Sequence, residues 1–446
     1  MVENNIGVSP VHPLGAGGAH RDAAARDRAH LWHPWTPVAA QSDPAAELLL
    51  VTEGDGYRVR DSSGRSYLDA IASSLNGSLG YGDPAVLAAA HAQMSRLPHF
   101  DLTVGSHEPA GRLAERLAGI LPQGLDRTLF MNSGSESAEA SLNLAFQYWR
   151  NVGTPRSRVI SFAAGYHGAT LVGQHLSGLG RMEHHFTAPF PVTRVELPLA
   201  PRDVRDPAAA PVLLARFEEA MEGDDVAAVI VEPFLNVGGG VVLPPGFLSG
   251  LRKLCDASGA LLVLDEVFCG IGRTGLMYGF DHDGITPDVV MTSKGISGGY
   301  VPLAAVTTTD RVYQTFRDEP VIGGLRYAHT TSGHAVACAV ALAVLDEIGR
   351  RNLVANAAER GRQLLDALAP LAGRPGVVDV RGLGLVVTVE TDGPDRAGRL
   401  LDAARDRGVL LRGQGASVMA IPPLVIDAEG VGELAEGLLH AAESVA

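Results

Sequence analysis

The sequence predicts an α/β protein built around a mostly parallel central sheet. Short apolar runs recur at helix-length intervals: Arg158 to Phe162, Ala227 to Val231, Ala260 to Leu264, Val289 to Thr292 and Leu303 to Val306. Unbroken runs of this kind suit strands covered on both faces, as parallel sheets are. The segments between them carry helical spacing, with Ala138, Leu142, Ala145, Phe146 and Trp149 on one face. The chain's 446 residues, 46% of them hydrophobic, suffice for a substantial core and for about two or three domains.

In chain order, residues 1–28 mix polar residues with Gly and Ala and are expected to be flexible. Residues 29–80 open a smaller α+β domain. There Leu48 to Val51 and Tyr57 to Arg60 read as strands, and Asp61-Ser62-Ser63-Gly64 turns the chain into Tyr67-Leu68. Residues 81–340 form the large domain. It begins with a helix announced by Asp83-Pro84, an N-cap followed by proline at the first helical position. The strand Thr128 to Met131 runs into Asn132 to Ser137, and Gly333 to about Ile348 is a long buried helix. Residues 341–446 return to the smaller domain with a strand at Gly384 to Glu390, a helix, Val409 to Leu411 and a closing helix. Both chain ends thus build that domain. No internal repeat or low-complexity linker interrupts the chain.

Thirty-six basic residues against fifty acidic ones leave a formal charge of −14. An acidic field of that size opposes nucleic acid or an anionic membrane as partner. No apolar run reaches the roughly 18 residues of a transmembrane helix, and the N-terminal residues lack the apolar stretch of a signal peptide. Cys255, Cys269 and Cys338 have no metal-type spacing, and an odd number cannot pair off into a disulfide framework. A cytoplasmic protein with buried thiols and no metal site is expected.

Only two of the basic residues are lysines, Lys253 and Lys294; the remainder are arginines. A guanidinium supplies charge anywhere but cannot form an imine at neutral pH, so a lysine in a glycine-flanked loop stands out. Lys294 follows the run Val289 to Thr292, and Asp265-Glu266 follow Leu261 to Leu264. Both strands would end at the carboxyl edge of the sheet, where α/β folds bind ligands. Ser133-Gly134-Ser135 lies between a strand and a helix and would offer N–H groups to an anion. Each feature alone has a plainer reading, as solvated loop acids or an ordinary helix cap. Asn132 to Ser135 match neither the Walker loop nor the dinucleotide fingerprint. A phosphate cradle, a sheet-edge aspartate and a sheet-edge lysine together suit pyridoxal 5'-phosphate. The lysine holds its aldehyde as an imine and shuttles a proton, the acid keeps its ring nitrogen protonated, and the helix start fixes its phosphate.

The motifs then extend to a known family. Leu264-Asp265-Glu266-Val267, Gly270-Ile271-Gly272-Arg273-Thr274-Gly275, Pro287-Asp288, Lys294 and Pro302 to Val306 resemble the signature of class III (subgroup II) pyridoxal-phosphate aminotransferases. Further matches run from about residue 30 to 425: Ser133 to Glu136, Gly165-Tyr166-His167-Gly168, Glu232-Pro233, Thr330 with Gly333-His334, and Pro422-Pro423. His33-Pro34-Trp35-Thr36 and Gln147-Tyr148-Trp149 are similar to diaminopelargonate (biotin-pathway) and omega-aminotransferases.

The resemblance implies a fold-type I homodimer with shared active sites. Lys294 would carry the cofactor and move the proton, and Asp265 would pair with the ring nitrogen. Val267 would pack beneath the ring and Tyr166 above it, beside a structural His167. Gly134 and Ser135 would hold the phosphate with Thr330 of the other subunit, and Glu232 would support Asp265. Arg412 would take a substrate carboxylate and Trp35 would line the pocket, as would Tyr166. Ser74-Leu75 stand where the biotin-pathway enzymes carry two tryptophans, Asn236 replaces a usual glutamine, and Val237 or Gly238 occupies the place of a glutamate gate in ornithine- and GABA-type relatives. These departures imply a wider pocket than a biotin-pathway enzyme has. The expected activity is ping-pong transfer of an amino group from an amine or amino acid to the aldehyde or ketone of a small metabolite, one of specialised metabolism. An epimerase, racemase or aminomutase on the same scaffold remains open. A cofactor-binding regulatory module, the third reading, finds no DNA-binding motif or basic tract to support it.

Overall fold

A computed structural model describes residues 19–43, 48–180 and 187–445. The chain divides into two compact units, one of residues up to Glu53 with Val59–Ser66, the other of Gly54–Arg58 with Tyr67–Ala446. The first contains the helices Ala19–His30 and Val38–Ser42. Ala19–His30 enters the segment expected to be flexible, its alanines and arginines being good helix formers; residues 1–18 lie outside the described residues. Trp32 and Trp35 are exposed in this unit.

The second unit holds a seven-stranded sheet. Its strands, in chain order, are β1 (Leu125–Met131), β2 (Arg158–Phe162), β3 (Val192–Val195), β4 (Val226–Val231), β5 (Leu261–Asp265), β6 (Val289–Thr292) and β7 (Ala304–Thr309). They lie in the order β1-β7-β6-β5-β4-β2-β3. Strands β3, β2, β4, β5 and β6 pair in parallel. β7 is antiparallel to both β6 and β1, so one strand of the seven runs against the rest. The connection explains the reversal, because residues 293–303 are too few for the crossover of a dozen or more residues that a parallel return needs.

The apolar runs are buried on both faces because side chains alternate across a strand. Leu261, Val263, Val289, Met291, Ala304 and Val306 face a cluster with Leu142, Ala145 and Trp149 of the helix Gly134–Asn151. Leu262, Leu264, Val290 and Ala305 face the opposite cluster, which includes Val336, Val340 and Val344 of the helix Ala335–Arg350. Asp83 caps the helix Pro84–Arg96 as its sequence foretells, accepting from the N–H groups of Ala85 and Val86. β3, an edge strand broken by Thr193 and Arg194, carries no apolar run that would announce it.

Toward the C-terminus a second sheet forms from β8 (Val377–Gly382), β9 (Val387–Thr391), β10 (Arg412–Gln414) and β11 (Ser417–Ala420), in the order β8-β9-β11-β10. Only β9 was foreseen, its start three residues later than expected. The chain closes with the helix Ala428–Ser444. Cys255, Cys269 and Cys338 are free and buried, as expected.

Asp288, at the entry to β6, ties the layers together. Its carboxylate accepts from Leu262 N and Arg252 Nη1, both at 2.8 Å, and from Arg311. Asp288→Ala strands a largely buried guanidinium and a strand N–H, and should cost about 3–5 kcal/mol. Removal of the exposed Arg311 should cost about 1 kcal/mol or less. Denaturant midpoints of the two variants check the contrast.

Candidate active site

Strands β1, β2, β4, β5 and β6 all end at one edge of the sheet, and the residue or loop after each turns into the same cavity. β1 leads through Asn132 into Ser133, which caps the helix Gly134–Asn151. Ser133 Oγ accepts from Glu136 N at 3.2 Å, and the Glu136 carboxylate accepts from the N–H groups of Ser133 and Asn132. This capping box accounts for some first-turn donors, and helix geometry leaves the N–H groups of Gly134 and Ser135 without intrahelical acceptors. A Cβ on Gly134 would stand 2.7 Å from Val267 Cγ1, so the glycine lets Val267 close on the helix start. On the other side, a Cβ on Gly168 would stand 2.6 Å from Ser135 Oγ, which accepts from Ala169 N.

β5 ends in Asp265, 5% exposed. Its Oδ2 lies 2.8 Å from His167 Nδ1, and its Oδ1 accepts from Val267 N at 3.1 Å. β4 ends at Val231, and the following Glu232 accepts from Tyr166 N at 2.9 Å. His167 is itself fastened through its N–H to Ser177 Oγ. Lys294 follows β6 after Ser293, whose hydroxyl donates to Leu303 O at 2.9 Å. Lys294 adopts φ +46°, a left-handed conformation that costs a non-glycine residue about 1–2 kcal/mol. Its Nζ lies 5.8 Å from the centre of the Phe268 ring.

The charges are coupled. Burial lowers the Lys294 pKa, Asp265 and Glu232 oppose this, and the positive charge of Arg412 reinforces it. Burial pushes Glu232 up to about 7, with His167 opposing and Asp265 adding to the rise. For His167, burial acts downward, but the bond to Asp265 and the charges of Asp265 and Glu232 carry it above its ordinary value.

A cavity of about 140 Å³ gathers Gly134, Ser135, Tyr166, His167, Glu232, Asp265, Val267 and Lys294. Arg412, on β10, does not line it but is near enough to act on the lysine. Thr330 is exposed and lies outside the cavity of its own chain; its carbonyl meets His99 Nε2 at 3.0 Å. Thr331 turns inward instead and donates to Asn132 Oδ1 at 2.8 Å. Trp35 belongs to the first unit, where it is exposed with φ +58°. The cavity also takes in Phe268, Ser293, Asn236 and Val237. Phe268 follows Val267 directly, and that adjacency was the one available sign of it.

The family model for class-III aminotransferases matches residues 38–442. This chain is a class-III aminotransferase. The aminotransferase is 36% identical to the adenosylmethionine-8-amino-7-oxononanoate aminotransferase of Geobacter sulfurreducens, over 92% of this chain and 95% of that one. It is 32% identical to the beta-alanine–pyruvate aminotransferase of Pseudomonas aeruginosa, over 81% and 83% of the two chains. The solved (S)-enantioselective omega-transaminase of Thermomicrobium roseum superposes with a TM-score of 0.90 at 33% identity, covering 95% of this chain and 98% of the other. The omega transaminase of Pseudomonas jessenii in complex with PMP superposes with a TM-score of 0.89 at 30% identity, with the same coverage. The fold is therefore that of the fold-type I transaminases, and the enzyme depends on pyridoxal 5'-phosphate, as its class does. The donor set fits that group: a primary amine, a buried carboxylate, a helix start for the phosphate and a close approach at Gly134 that leaves a narrow slot.

Glu266 adjoins Asp265 but turns away and accepts from the N–H groups of Gly279 and Phe280 at 2.8 and 2.9 Å. Burial pushes its pKa from 4.5 to about 8, with the two N–H groups pulling back. Between those values the folded state holds a proton that the unfolded state has released, so this group's contribution to stability is lost as pH rises through that window. Glu266→Gln, neutral throughout, should flatten the fall in stability between about pH 5 and pH 8, read from urea midpoints at stepped pH.

Proposed function

We propose that Lys294 would hold the cofactor and is the proton carrier of the reaction, its Nζ moving a proton between the substrate carbon and the cofactor carbon to which the lysine itself binds, in opposite directions in the two halves of the cycle. The observation that carries this reading is the meeting of Lys294 and Asp265 in one cavity from the ends of adjacent strands. When bound, the cofactor supplies an electron sink for the carbon that loses its proton. Asp265 would pair with the ring nitrogen and keep it protonated. His167 holds Asp265 through one oxygen, while Glu232 braces the Tyr166 loop from beneath. Val267 and Tyr166, which both line the cavity, would hold the ring. Gly134 and Ser135 bind the phosphate, joined by Thr330 from a second copy of the chain in a homodimer. The exposure of Thr330 supports a role toward a neighbouring subunit.

A lysine with a depressed pKa is a competent base near neutral pH, because more of it stands unprotonated. Arg412 receives the carboxylate of an amino-acid donor, and its charge keeps the lysine from holding an extra proton. By its family motif, Trp35 is assigned to the substrate pocket. Donor and acceptor react in turn. The acceptor is the aldehyde or ketone of a small metabolite rather than the biotin precursor: the two tryptophans of that pathway's enzymes are replaced by Ser74 and Leu75. Leu75 is buried against Phe268, and Phe268 lines the cavity. We place the enzyme in the cytoplasm; among the described residues no helix is long and apolar enough to cross a membrane.

Borohydride treatment of the holoenzyme followed by peptide mapping should put the pyridoxyl label on Lys294. Lys294→Ala should lower the rate of keto–amine exchange by about 10²-fold or more with the fold intact by circular dichroism. A label on another residue, or stereochemical inversion without a released keto product, would refute the reading.

A further inference from the structure

Arg381, on β8, is fully buried and belongs to no part of the site described above. Its guanidinium forks onto two successive carbonyls, Nε donating to Gly240 O at 2.7 Å and Nη2 to Gly239 O at 2.6 Å. Nη1 donates to Asp379 at 3.0 Å and to Glu390 at 2.5 Å. Asp379 is held in turn by both Nη atoms of Arg205, at 2.7 and 2.9 Å. Ser417 Oγ adds a second donor to the Gly239 carbonyl at 3.2 Å. Arg381 of β8 and Ser417 of β11 thus converge on a single turn, with Asp379, Glu390 and Arg205 holding the guanidinium behind it.

That turn runs from Asn236 to Gly240 and joins the short strands Phe234–Leu235 and Val241–Val242. The N–H groups of Gly239 and Gly240 both return to Asn236 O, and both glycines have positive φ, +105° and +69°. Three consecutive glycines give the segment a freedom that no side chain of its own restrains, so its geometry must be imposed from outside. A buried ion network is poor value as a stabiliser, since apolar packing of similar volume often does as well. Its placement on a flexible turn gives it a different use.

The wall of the turn faces the cavity. Asn236 and Val237 line the same space as Lys294 and Asp265. Asn236 is 1% exposed, and its Oδ1 has no hydrogen-bond partner among the described residues. A buried carboxamide left unsatisfied in this way is costly unless a bound molecule completes it.

We propose that Arg381 is a positioning residue for the transaminase site, clamping the Gly239 and Gly240 carbonyls so that the Asn236 carboxamide is presented as a hydrogen-bonding contact to the molecule bound beside Lys294. The proposal rests on the reading of that cavity as the active site. The chemistry Asn236 recognises is a hydroxyl or amino group, which either the cofactor or the amine substrate can supply. Lysine cannot replace the clamp, because one ammonium does not span two carbonyls and two carboxylates with the geometry of a fork.

A double-mutant cycle tests it with Arg381→Lys, Asn236→Ala and their combination. The measured quantities are kcat, the KM of each substrate, the dissociation constant of pyridoxal phosphate from the apoenzyme, and the melting temperature. Each single variant should weaken either KM or cofactor binding by about tenfold, the scale of one lost hydrogen bond in a closed site. The double variant should be no worse than the poorer single one. Asn236→Ala should keep or raise the melting temperature, since it removes an unsatisfied buried group. An effect confined to the cofactor constant assigns the contact to the cofactor; one confined to KM assigns it to the substrate. Arg205→Gln, which opens the outer ion pair alone, should lower the melting temperature and leave KM unchanged. If Arg381→Lys does not fold, Ser417→Ala loosens the same carbonyl and takes its place in the cycle. Losses that multiply in the double variant, or an Asn236→Ala enzyme with unaltered kcat, KM and cofactor constant, would overturn the proposal. Failure of the borohydride label to appear on Lys294 would instead fault the assignment of the cavity and say nothing of the clamp.

Discussion

Strands β1, β2, β4, β5 and β6 point the same way, and a sheet of aligned strands releases its chain ends at one edge. Each of those ends is short of backbone partners and long on freedom to present a side chain. Helix start, acid, acid and amine are therefore delivered to one cavity from residues far apart in the chain. The reversed β7 completes the arrangement. The eleven residues between β6 and β7 are too few to cross the sheet, so the chain doubles back just after Lys294 and seals it behind the Ser293–Leu303 hydrogen bond.

Packing charges at that edge creates a second dependence. Glu232, His167 and Lys294 feel one another's charge and that of Asp265, so these three titrate as a group rather than singly. Burial pushes the lysine toward its neutral form and Glu232 toward its protonated one, while His167 gains its proton from the company of Asp265. The contact of His167 with Asp265 fixes the imidazole against the acid.

Much of this was legible in the residues themselves. The scarcity of lysine singled out Lys294, and a run of buried aliphatic residues before Asp265 placed it at a strand end. Ser133 followed by Glu136 announced a capped helix. What stayed hidden has physical causes. β3, β8 and β10 are short or polar edge strands and β11 is a short interior one, and the pairing of each depends on distant partners. Arg381 looks like any of thirty-four arginines, and only the fold brings the Gly239 and Gly240 carbonyls to it from some 140 residues away. Thr330 carries a family motif, yet it does not line the cavity of its own chain. Residues that would serve a neighbouring subunit leave no trace in the local pattern of apolar and polar positions.

The near-absence of lysine reaches beyond the active site. Lys253 sits exposed on the helix Phe247–Ser258, while Lys294 is partly buried and lines the cavity. Apart from the N-terminus, reagents that seek primary amines, such as succinimidyl esters or aldehyde-bearing supports, meet a surface with a single lysine handle. Anchored there, every molecule on a solid carrier would be held by the same helix and present the same face to the solution.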